Sequence, residues 1–251
     1  MLSLASLLML SGCSVPQPAS VAATKPGQTA QEFHVQRTQV LDADYLLYLP
    51  DGYGSDRAKR WPLILFLHGA GERGSDIWKV AVHGPPKIDV ANKLPFIIVS
   101  PQCPDGKMWN DDLVLALLGQ IESTYAVDTH RVYLTGLSMG GYGTWSLGMK
   151  HPERFAAIAP IAGGGELLPI ILAQDFDHAQ LEKMKSMGIW AFHGAKDPTV
   201  PTDESVRMVD ALQKAGCTDV KLTVYPEAFH DSWTQTYANP ELYSWFLKHS
   251  R

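Results

Sequence analysis

A serine flanked by glycines is the residue of this sequence best suited to carry out chemistry. Ser138 lies in the pentapeptide Gly-Leu-Ser-Met-Gly, residues 136–140. Residues 131–135 before it are rich in β-branched and aromatic side chains, which predicts a strand, and the residues from the pentapeptide to Lys150 favour a helix. A serine hydroxyl is a weak nucleophile unless a base takes its proton. A sharp turn between strand and helix would lift the hydroxyl clear of the backbone, so we predict that Ser138 is a nucleophile.

The base that such a serine needs is predicted to be His230. It follows the last predicted strand in a short loop, where it would reach the same edge of a sheet as Ser138. His68 and His193 also end strands, but each is followed by glycine inside a turn, which favours a structural or pocket-lining role. Five other histidines are interpreted as surface or internally satisfied side chains: His34, His130, His151, His178 and His249.

A carboxylate must hold the imidazole of the base in its productive tautomer and stabilise its charged form. Asp197 is the preferred candidate, because it comes directly after a predicted strand and precedes His230 in the chain. The rival carboxylates follow no predicted strand so closely: Asp175, Asp177, Asp203 and Asp231.

Negative charge that develops on a substrate carbonyl oxygen needs preorganised donors, which are commonly two backbone N–H groups. The N–H of Met139, directly after the nucleophile, is predicted to be one of them. The other is expected in the glycine-rich segment of residues 68–74, where we choose Ala70 and keep Gly71 as the close rival.

Trp109 is the candidate substrate-binding residue. It ends a Pro/Gly-containing loop, residues 103–109, that follows a predicted strand, so it should reach the same sheet edge as Ser138. We predict that it either walls the substrate site and favours planar acyl groups, or caps the core.

These residues require a sheet whose strand ends meet at one edge. Continuous apolar runs at 62–67 and 96–100 predict strands buried on both faces, and apolar spacing predicts an amphipathic helix at 112–127. Two antiparallel strands are predicted at the start, at 32–40 and 45–50. Further strands are predicted at 155–162, 189–193 and 220–226, and further helices at 202–215 and 239–248. The alternation favours an α/β fold with a mostly parallel central sheet and helices on both faces.

Composition excludes several classes of function. The chain has 251 residues and a formal net charge of −5 with scattered Lys and Arg, so no nucleic-acid interface is expected. Its length fits one catalytic domain, residues 32–251. No apolar run reaches the ~18 residues of a membrane span. Without a Cys/His cluster or a His-Glu-x-x-His motif, no metal and no cofactor are expected, and Cys103 and Cys217 are treated as free thiols.

The first residues predict export and a lipid anchor. Residues 2–10 are apolar, and Leu-Ser-Gly-Cys at 10–13 resembles the lipobox of bacterial lipoproteins, in which the cysteine is lipidated. We therefore predict a signal peptide at 1–12, lipidation at Cys13, and a tether at 13–31 that is rich in Pro, Ala, Thr, Ser and Gln. The expected location is the cell envelope, as a periplasmic or outer-membrane lipoprotein, or outside the cell.

Four segments carry a resemblance to the α/β-hydrolase superfamily. They are LHGAGERG (67–74), GLSMGGYGTW (136–145), FHGAKDPTVP (192–201) and HDSWTQTYANPELYSWFL (230–247). More narrowly, the chain resembles the secreted bacterial esterases grouped with feruloyl esterases, polyhydroxybutyrate depolymerases and dienelactone hydrolases. The resemblance implies the α/β-hydrolase fold and a nucleophile, acid and base in the order Ser138, Asp197, His230.

The resemblance further implies a serine carboxylic ester hydrolase that works through an acyl-enzyme. Its expected substrates are small-molecule esters with short-chain or aryl groups of the feruloyl or acetyl type, of plant cell-wall or polyester origin. Two alternatives stay open: a polyester depolymerase, and a peptidase for short peptides in which Glu72 and Arg73 would grip a peptide terminus. Residues 166–187 are longer and more apolar than expected for this group, and a lid would grow there.

Overall fold

The computed structural model describes His34, Val35, Thr38 and residues 40–251, without the side chains of residues 89–92. The predicted signal peptide (1–12), the lipidation site Cys13 and the tether (13–31) lie outside these described residues. Val40–Arg251 forms a compact unit of its own.

A seven-stranded sheet organises this unit. In chain order the strands are β1 (Tyr45–Tyr48), β2 (Trp61–Leu67), β3 (Ile97–Pro101), β4 (Val127–Leu137), β5 (Ala157–Ile161), β6 (Gly188–Gly194) and β7 (Val220–Tyr225). Their order across the sheet is β1-β3-β2-β4-β5-β6-β7. β1 pairs with β3 antiparallel and all other neighbours are parallel, which confirms the predicted fold class.

Helices connect the strands. The α-helices of the described residues are α1 (Pro85–Asn92), α2 (Asp111–Thr124), α3 (Met139–Lys150), α4 (Leu168–Asp175), α5 (His178–Ser186), α6 (Asp203–Lys214), α7 (Trp233–Ala238) and α8 (Pro240–Phe246). Three short 3₁₀ helices span Ala70–Glu72, Ile77–Val82 and Pro152–Arg154. Asn110 shows how the sequence starts such a helix, because its side chain accepts the N–H of Leu113 at 2.9 Å and caps α2.

Both faces of the sheet are buried, because alternate side chains of a strand enter different cores. Leu63, Leu65 and Leu67 of β2 belong to the core formed with helices α2 to α6. Ile64 and Phe66 belong to the core formed with α7 and α8 on the other face. This two-sided burial is the reason why β2 reads as an unbroken apolar run.

Two predicted elements differ from the structure. The described residues of the strand predicted at 32–40, which are His34, Val35, Thr38 and Val40, lie in no strand. The helix predicted at 112–127 ends at Thr124, because β4 already begins at Val127 and pairs there with Trp61 of β2. Residues 166–187, for which the sequence left a lid open, form α4 and α5, which pack on the core through Ile170, Ala173, Leu181 and Met184.

The carboxyl ends of the parallel strands bring the candidate residues to one edge. Leu67 at the end of β2 is paired with Gly136 of β4, and Gly194 at the end of β6 is paired with Tyr225 at the end of β7. The loops that follow these four strands therefore start side by side. Within the described part of the chain, the structure contains no helix long and apolar enough to cross a membrane.

Candidate active site

Ser138 occupies a strained turn between β4 and α3. Its backbone has φ 52° and ψ −115°, a left-handed conformation that residues with a side chain rarely adopt. The turn is closed by glycines: a Cβ on Gly136 would lie 2.3 Å from the carbonyl oxygen of Gly140, and a Cβ on Gly140 would lie 1.9 Å from that of Leu67. The pentapeptide thus has glycines because strand, helix and neighbouring loop touch there through their backbones.

His230 lies beside this serine. Its Nε2 is 2.9 Å from Ser138 Oγ, and its Nδ1 is 2.7 Å from Asp197 Oδ2. Since the carboxylate can only accept, Nδ1 carries the hydrogen and Nε2 is left to accept the hydroxyl proton. The structure therefore brings together Ser138, His230 and Asp197, which come from the ends of β4, β7 and β6.

Asp197 is buried and fully hydrogen-bonded. Oδ1 accepts the backbone N–H groups of Thr199 at 2.8 Å and Val200 at 2.9 Å, while Oδ2 accepts from His230. Burial alone would raise the pKa of Asp197, but the hydrogen bonds from His230, Val200 and Thr199 outweigh it and hold that pKa below its usual value. The Asp197 carboxylate is therefore charged at neutral pH, where it accepts the hydrogen bond from His230.

Two of the rival aspartates bond to the first turn of a helix. Asp177 caps α5 by accepting the N–H of Gln180 at 3.0 Å, and Asp231, which precedes the first residue of α7 by two positions, accepts the N–H of Thr234 at 3.0 Å. Asp203 is exposed in the first turn of α6.

The two predicted oxyanion donors begin two helices that follow neighbouring strands, β4 and β2. Met139 is the first residue of α3 and Ala70 the first residue of a 3₁₀ helix, where N–H groups have no acceptor within the helix. A Cβ on Gly69 would come within 2.7 Å of the Leu137 side chain, so the loop after β2 runs against the Ser138 turn. Arg73 braces that loop by donating to the carbonyl oxygens of Ala70 at 3.0 Å and Lys107 at 3.1 Å.

His68 and His193 are buried and have structural partners. His68 Nε2 accepts the N–H of Cys103 at 2.9 Å, which ties the loops after β2 and β3 together. His193 Nδ1 is 2.7 Å from Ser205 Oγ, and its Nε2 is 2.9 Å from the carbonyl oxygen of Val200.

A cavity of about 350 Å³ runs along α3 from Met139, the residue after Ser138; we call it the trough. One wall is α3 itself, from Met139 through Tyr142 and Ser146 to Lys150. The rest of the lining is Met108, Trp109, Asp111, Gly164, Gly165, Glu166, Pro169 and Arg207. Since α3 rises 1.5 Å per residue, the eleven steps from Met139 to Lys150 make the trough about 16 Å long.

Trp109 both lines the trough and packs on the core. Its Nε1–H donates to the carbonyl oxygen of His68 at 3.1 Å, and its ring meets the His68 ring edge to face at 4.9 Å. It also packs against the core under α2 and α3. The structure thus places Trp109 between the core and the trough.

The sequence reasoning missed Trp233. Its ring meets the His230 ring edge to face at 5.1 Å and the His83 ring at 5.8 Å. An aromatic side chain packed on the imidazole restricts the ring of His230 to the plane in which it reaches Ser138. The sequence did contain a signal for this contact, because Trp233 lies three residues after the proposed base, at the start of a helix.

No cluster of His, Cys, Asp and Glu side chains suited to a metal ion occurs within the described residues. Cys103 and Cys217 are both free and buried.

Comparison with curated proteins finds fungal esterases. The chain is 25% identical over 181 residues to a probable feruloyl esterase C of Aspergillus terreus, covering 69% of this chain and 62% of that protein. It is 27% identical over 190 residues to feruloyl esterase C of Emericella nidulans, covering 71% of this chain and 64% of that protein. The chain thus spans somewhat less than two thirds of the length of these relatives.

Comparison with solved structures finds the same fold. A thermostable esterase is 33% identical and superposes with a TM-score of 0.67, covering 82% of this chain and 59% of that one. A ferulic acid esterase with 20% identity and a TM-score of 0.61 shares the fold, covering 80% of this chain and 89% of that one. The dienelactone hydrolase family matches residues 103–241, which are more than half of the chain and include Ser138, Asp197 and His230. The chain therefore belongs to the dienelactone hydrolase family, and its fold is that of the α/β-hydrolases.

Proposed function

We propose that this protein is a serine carboxylic ester hydrolase that works through an acyl-enzyme. The observation that carries the proposal is the hydrogen-bonded row Asp197–His230–Ser138, with distances of 2.7 and 2.9 Å, on a serine held at positive φ. A buried carboxylate, a singly protonated imidazole and a displaced hydroxyl are what activation of a serine requires.

In the first half of the reaction, Ser138 Oγ attacks the ester carbonyl carbon while His230 Nε2 takes the hydroxyl proton. The imidazolium that forms is stabilised by Asp197, which stays charged throughout. The negative charge on the carbonyl oxygen is held by the N–H groups of Met139 and Ala70 and by the N-terminal end of α3. His230 then gives its proton to the leaving alcohol, and the acyl group remains on Ser138.

In the second half, water takes the place of the alcohol. His230 accepts a proton from the water as it attacks the acyl-enzyme, and the same two N–H groups hold the oxyanion. The acid leaves when His230 returns the proton to Ser138 Oγ. The cycle consumes one water and needs no cofactor.

The acyl group is proposed to be short or aryl, because Trp109, Tyr142 and the three methionines Met108, Met139 and Met149 give the trough flat and apolar walls. The peptidase alternative has less support. Arg73 was the candidate for binding a peptide terminus. Its Nε and Nη1 instead donate to the carbonyl oxygens of Ala70 and Lys107.

The direct test is covalent labelling. A fluorophosphonate should modify the purified protein at one residue, which peptide mapping should identify as Ser138, and Ser138→Ala should abolish both labelling and hydrolysis of 4-nitrophenyl acetate. Ser123→Ala is the matched control, since Ser123 is an exposed serine of α2. Esterase activity that survives Ser138→Ala would refute the mechanism.

The lipid anchor is a separate proposal from the sequence alone. If Cys13 is lipidated after removal of residues 1–12, the protein expressed in its native host should sediment with membranes, and Cys13→Ala should be recovered in the soluble fraction. Wild type in the soluble fraction with residues 1–12 still attached would contradict it.

A further inference from the structure

The far end of the trough opens into a second groove. This groove has a volume of about 510 Å³ and lies against α4. Trough and groove share four lining residues: Met149, Lys150, Glu166 and Pro169. A ligand that starts at Ser138 and follows α3 can therefore continue onto α4 without leaving the protein surface.

The α4 groove presents apolar side chains to solvent beside four charged or polar ones, which are Lys150, Glu166, Asp177 and Gln180. Leu168 and Leu172 line it and are 59% and 45% exposed, and Ile171 on the same helix is 47% exposed. Surface leucines scattered singly need no explanation, but a row of them bordering a groove marks a binding surface. A ligand that covers these side chains binds more tightly, because it removes apolar area from water.

Three of the four charged side chains that line the trough are already paired, and Glu166 is exposed to solvent without an ion pair among the described residues. Lys150 Nζ is 3.0 Å from Asp111 Oδ2, which also accepts the hydroxyl of Ser146 at 3.2 Å. Arg207 pairs with Glu204 and donates to the carbonyl oxygen of Gly165 at 2.7 Å. An apolar chain in the trough leaves these bonds intact.

The lining of the trough is separate from the loop that carries His230. His230 delivers its proton to the leaving alcohol, so the alcohol must leave beside the loop after β7. Among the described residues, none of those that line the trough belongs to that loop or to α7. This separation leaves the trough to the acyl part of the ester.

We propose that the trough and the α4 groove form one acyl track, which extends the range of acyl groups from short or aryl groups to long aliphatic chains. A short or aryl acyl group fills the first part of the track, beside Tyr142 and Trp109, and a longer chain reaches Leu168 and Leu172. The inference rests on the proposed esterase function and extends it to a class of substrate.

The test is a series of 4-nitrophenyl esters from acetate through hexanoate and decanoate to palmitate, all presented in the same detergent dispersion. Only a chain longer than the trough, such as palmitate, reaches Leu168 and Leu172. For the wild type, kcat/KM should rise along the series. The gain should be at most about fourfold per methylene, the factor that corresponds to ~0.8 kcal/mol for each methylene buried. A kcat/KM that falls from acetate or hexanoate onward overturns the acyl track.

The variant Leu168→Ser/Leu172→Ser removes the apolar surface of the groove. Its ratio of palmitate to acetate kcat/KM should fall by on the order of tenfold. Both side chains are exposed, so the fold should tolerate the change. Leu49→Ser is the matched control, because Leu49 is 37% exposed and follows β1 at the opposite edge of the sheet; it should keep the wild-type ratio.

The remaining outcomes are distinguishable. A wild type that hydrolyses neither acetate nor decanoate refutes the proposed function itself, whereas one that hydrolyses acetate without any preference for length refutes only the track. An unchanged ratio in the double variant also overturns the track. A wild-type dimer in solution that the double variant dissociates would assign the α4 surface to a second copy of the chain instead.

Discussion

At Asp197, three N–H groups converge on one buried carboxylate: two from the backbone of Thr199 and Val200 and one from His230. The backbone donors fix Oδ1, which leaves Oδ2 as the acceptor for the imidazole. The orientation of His230 thus depends on a turn that the chain makes immediately after β6. This arrangement leads to two predictions for the same side chain.

Asp197→Asn should lower kcat for ester hydrolysis by on the order of 10³- to 10⁴-fold with little change in fold. The amide can still accept from Thr199 and Val200, but its NH₂ group facing His230 favours the wrong tautomer, in which Nε2 carries the hydrogen. Asp203→Asn is the matched control, since Asp203 is exposed in α6. If Asp203→Asn proves as damaging as Asp197→Asn, the acid has been assigned incorrectly.

The lowered pKa of Asp197 also predicts acid sensitivity. Because the folded state holds this carboxylate ionised more strongly than the unfolded chain does, its contribution to stability is present above about pH 4 and is lost as the pH falls through the folded pKa. Urea unfolding between pH 6 and pH 3 should show a steeper fall in unfolding free energy for wild type than for Asp197→Asn. Parallel curves would mean that the pKa is not shifted.

Trp109→Ala should affect both binding and stability, because the indole lines the trough and bonds to His68. KM should rise more for aryl acyl esters than for acetyl esters, and the difference should correspond to about 1–3 kcal/mol of binding free energy. The melting temperature should also fall. Trp109→Phe keeps an aromatic wall but loses the hydrogen bond, so it should lower the melting temperature while retaining most of the aryl preference. Equal KM changes for both esters would assign Trp109 to the core alone.

At the scale of elements, the turn between β4 and α3 is the most constrained connection in the site. The end of β4, the start of α3 and the end of β2 meet through backbone atoms at Gly136 and Gly140. The strain at Ser138 persists because the paired strands on both sides hold the turn in place.

Gly140→Ala should destabilise the fold, by on the order of 1–3 kcal/mol, and should also impair catalysis, because its Cβ would meet the carbonyl oxygen of Leu67. Gly119→Ala is the contrasting substitution. Gly119 lies in α2, and a Cβ added there would meet open space. Alanine at this position should therefore raise the free energy of unfolding by about 0.5–1 kcal/mol. Chemical denaturation of both variants measures the difference, and similar effects at the two positions would contradict the close contact.

At the scale of the whole molecule, the sheet is held by two cores, and the one beneath α7 and α8 is rich in aromatic rings. Tyr133 of β4 is buried there, stacks on Phe246 at 4.9 Å and donates its hydroxyl to the carbonyl oxygen of His249 at 2.9 Å. The last helix is thereby fixed to the central strand.

Burial raises the pKa of Tyr133 to about 12. Between about pH 10 and pH 12 the unfolded chain loses this proton and the folded protein keeps it, so the unfolding free energy should fall as pH rises, by roughly 2–3 kcal/mol over that range. Tyr133→Phe should flatten this part of the pH profile, even though it loses a hydrogen bond and is less stable at neutral pH. A variant whose alkaline profile runs parallel to that of wild type would contradict the assignment.

The sequence by itself determined the local elements and the chemistry they could support. Three features can be recognised from neighbouring residues: the apolar run of β2, the glycine spacing around Ser138, and the alternation of strands with helices. They follow from short-range sterics and from the periodicity of burial along the chain. The fold class and the family resemblance followed from these patterns, and both are confirmed.

Tertiary structure alone decided which distant groups meet. Ser138 and His230 are 92 positions apart, and their 2.9 Å contact depends on the register of the strands between them. The same is true of the contact of Trp233 with His230, of the position of Trp109 between core and trough, and of the packing of α4 and α5 on the core. These features depend on which neighbour each side chain finds after packing, and a pattern of adjacent residues does not contain that information.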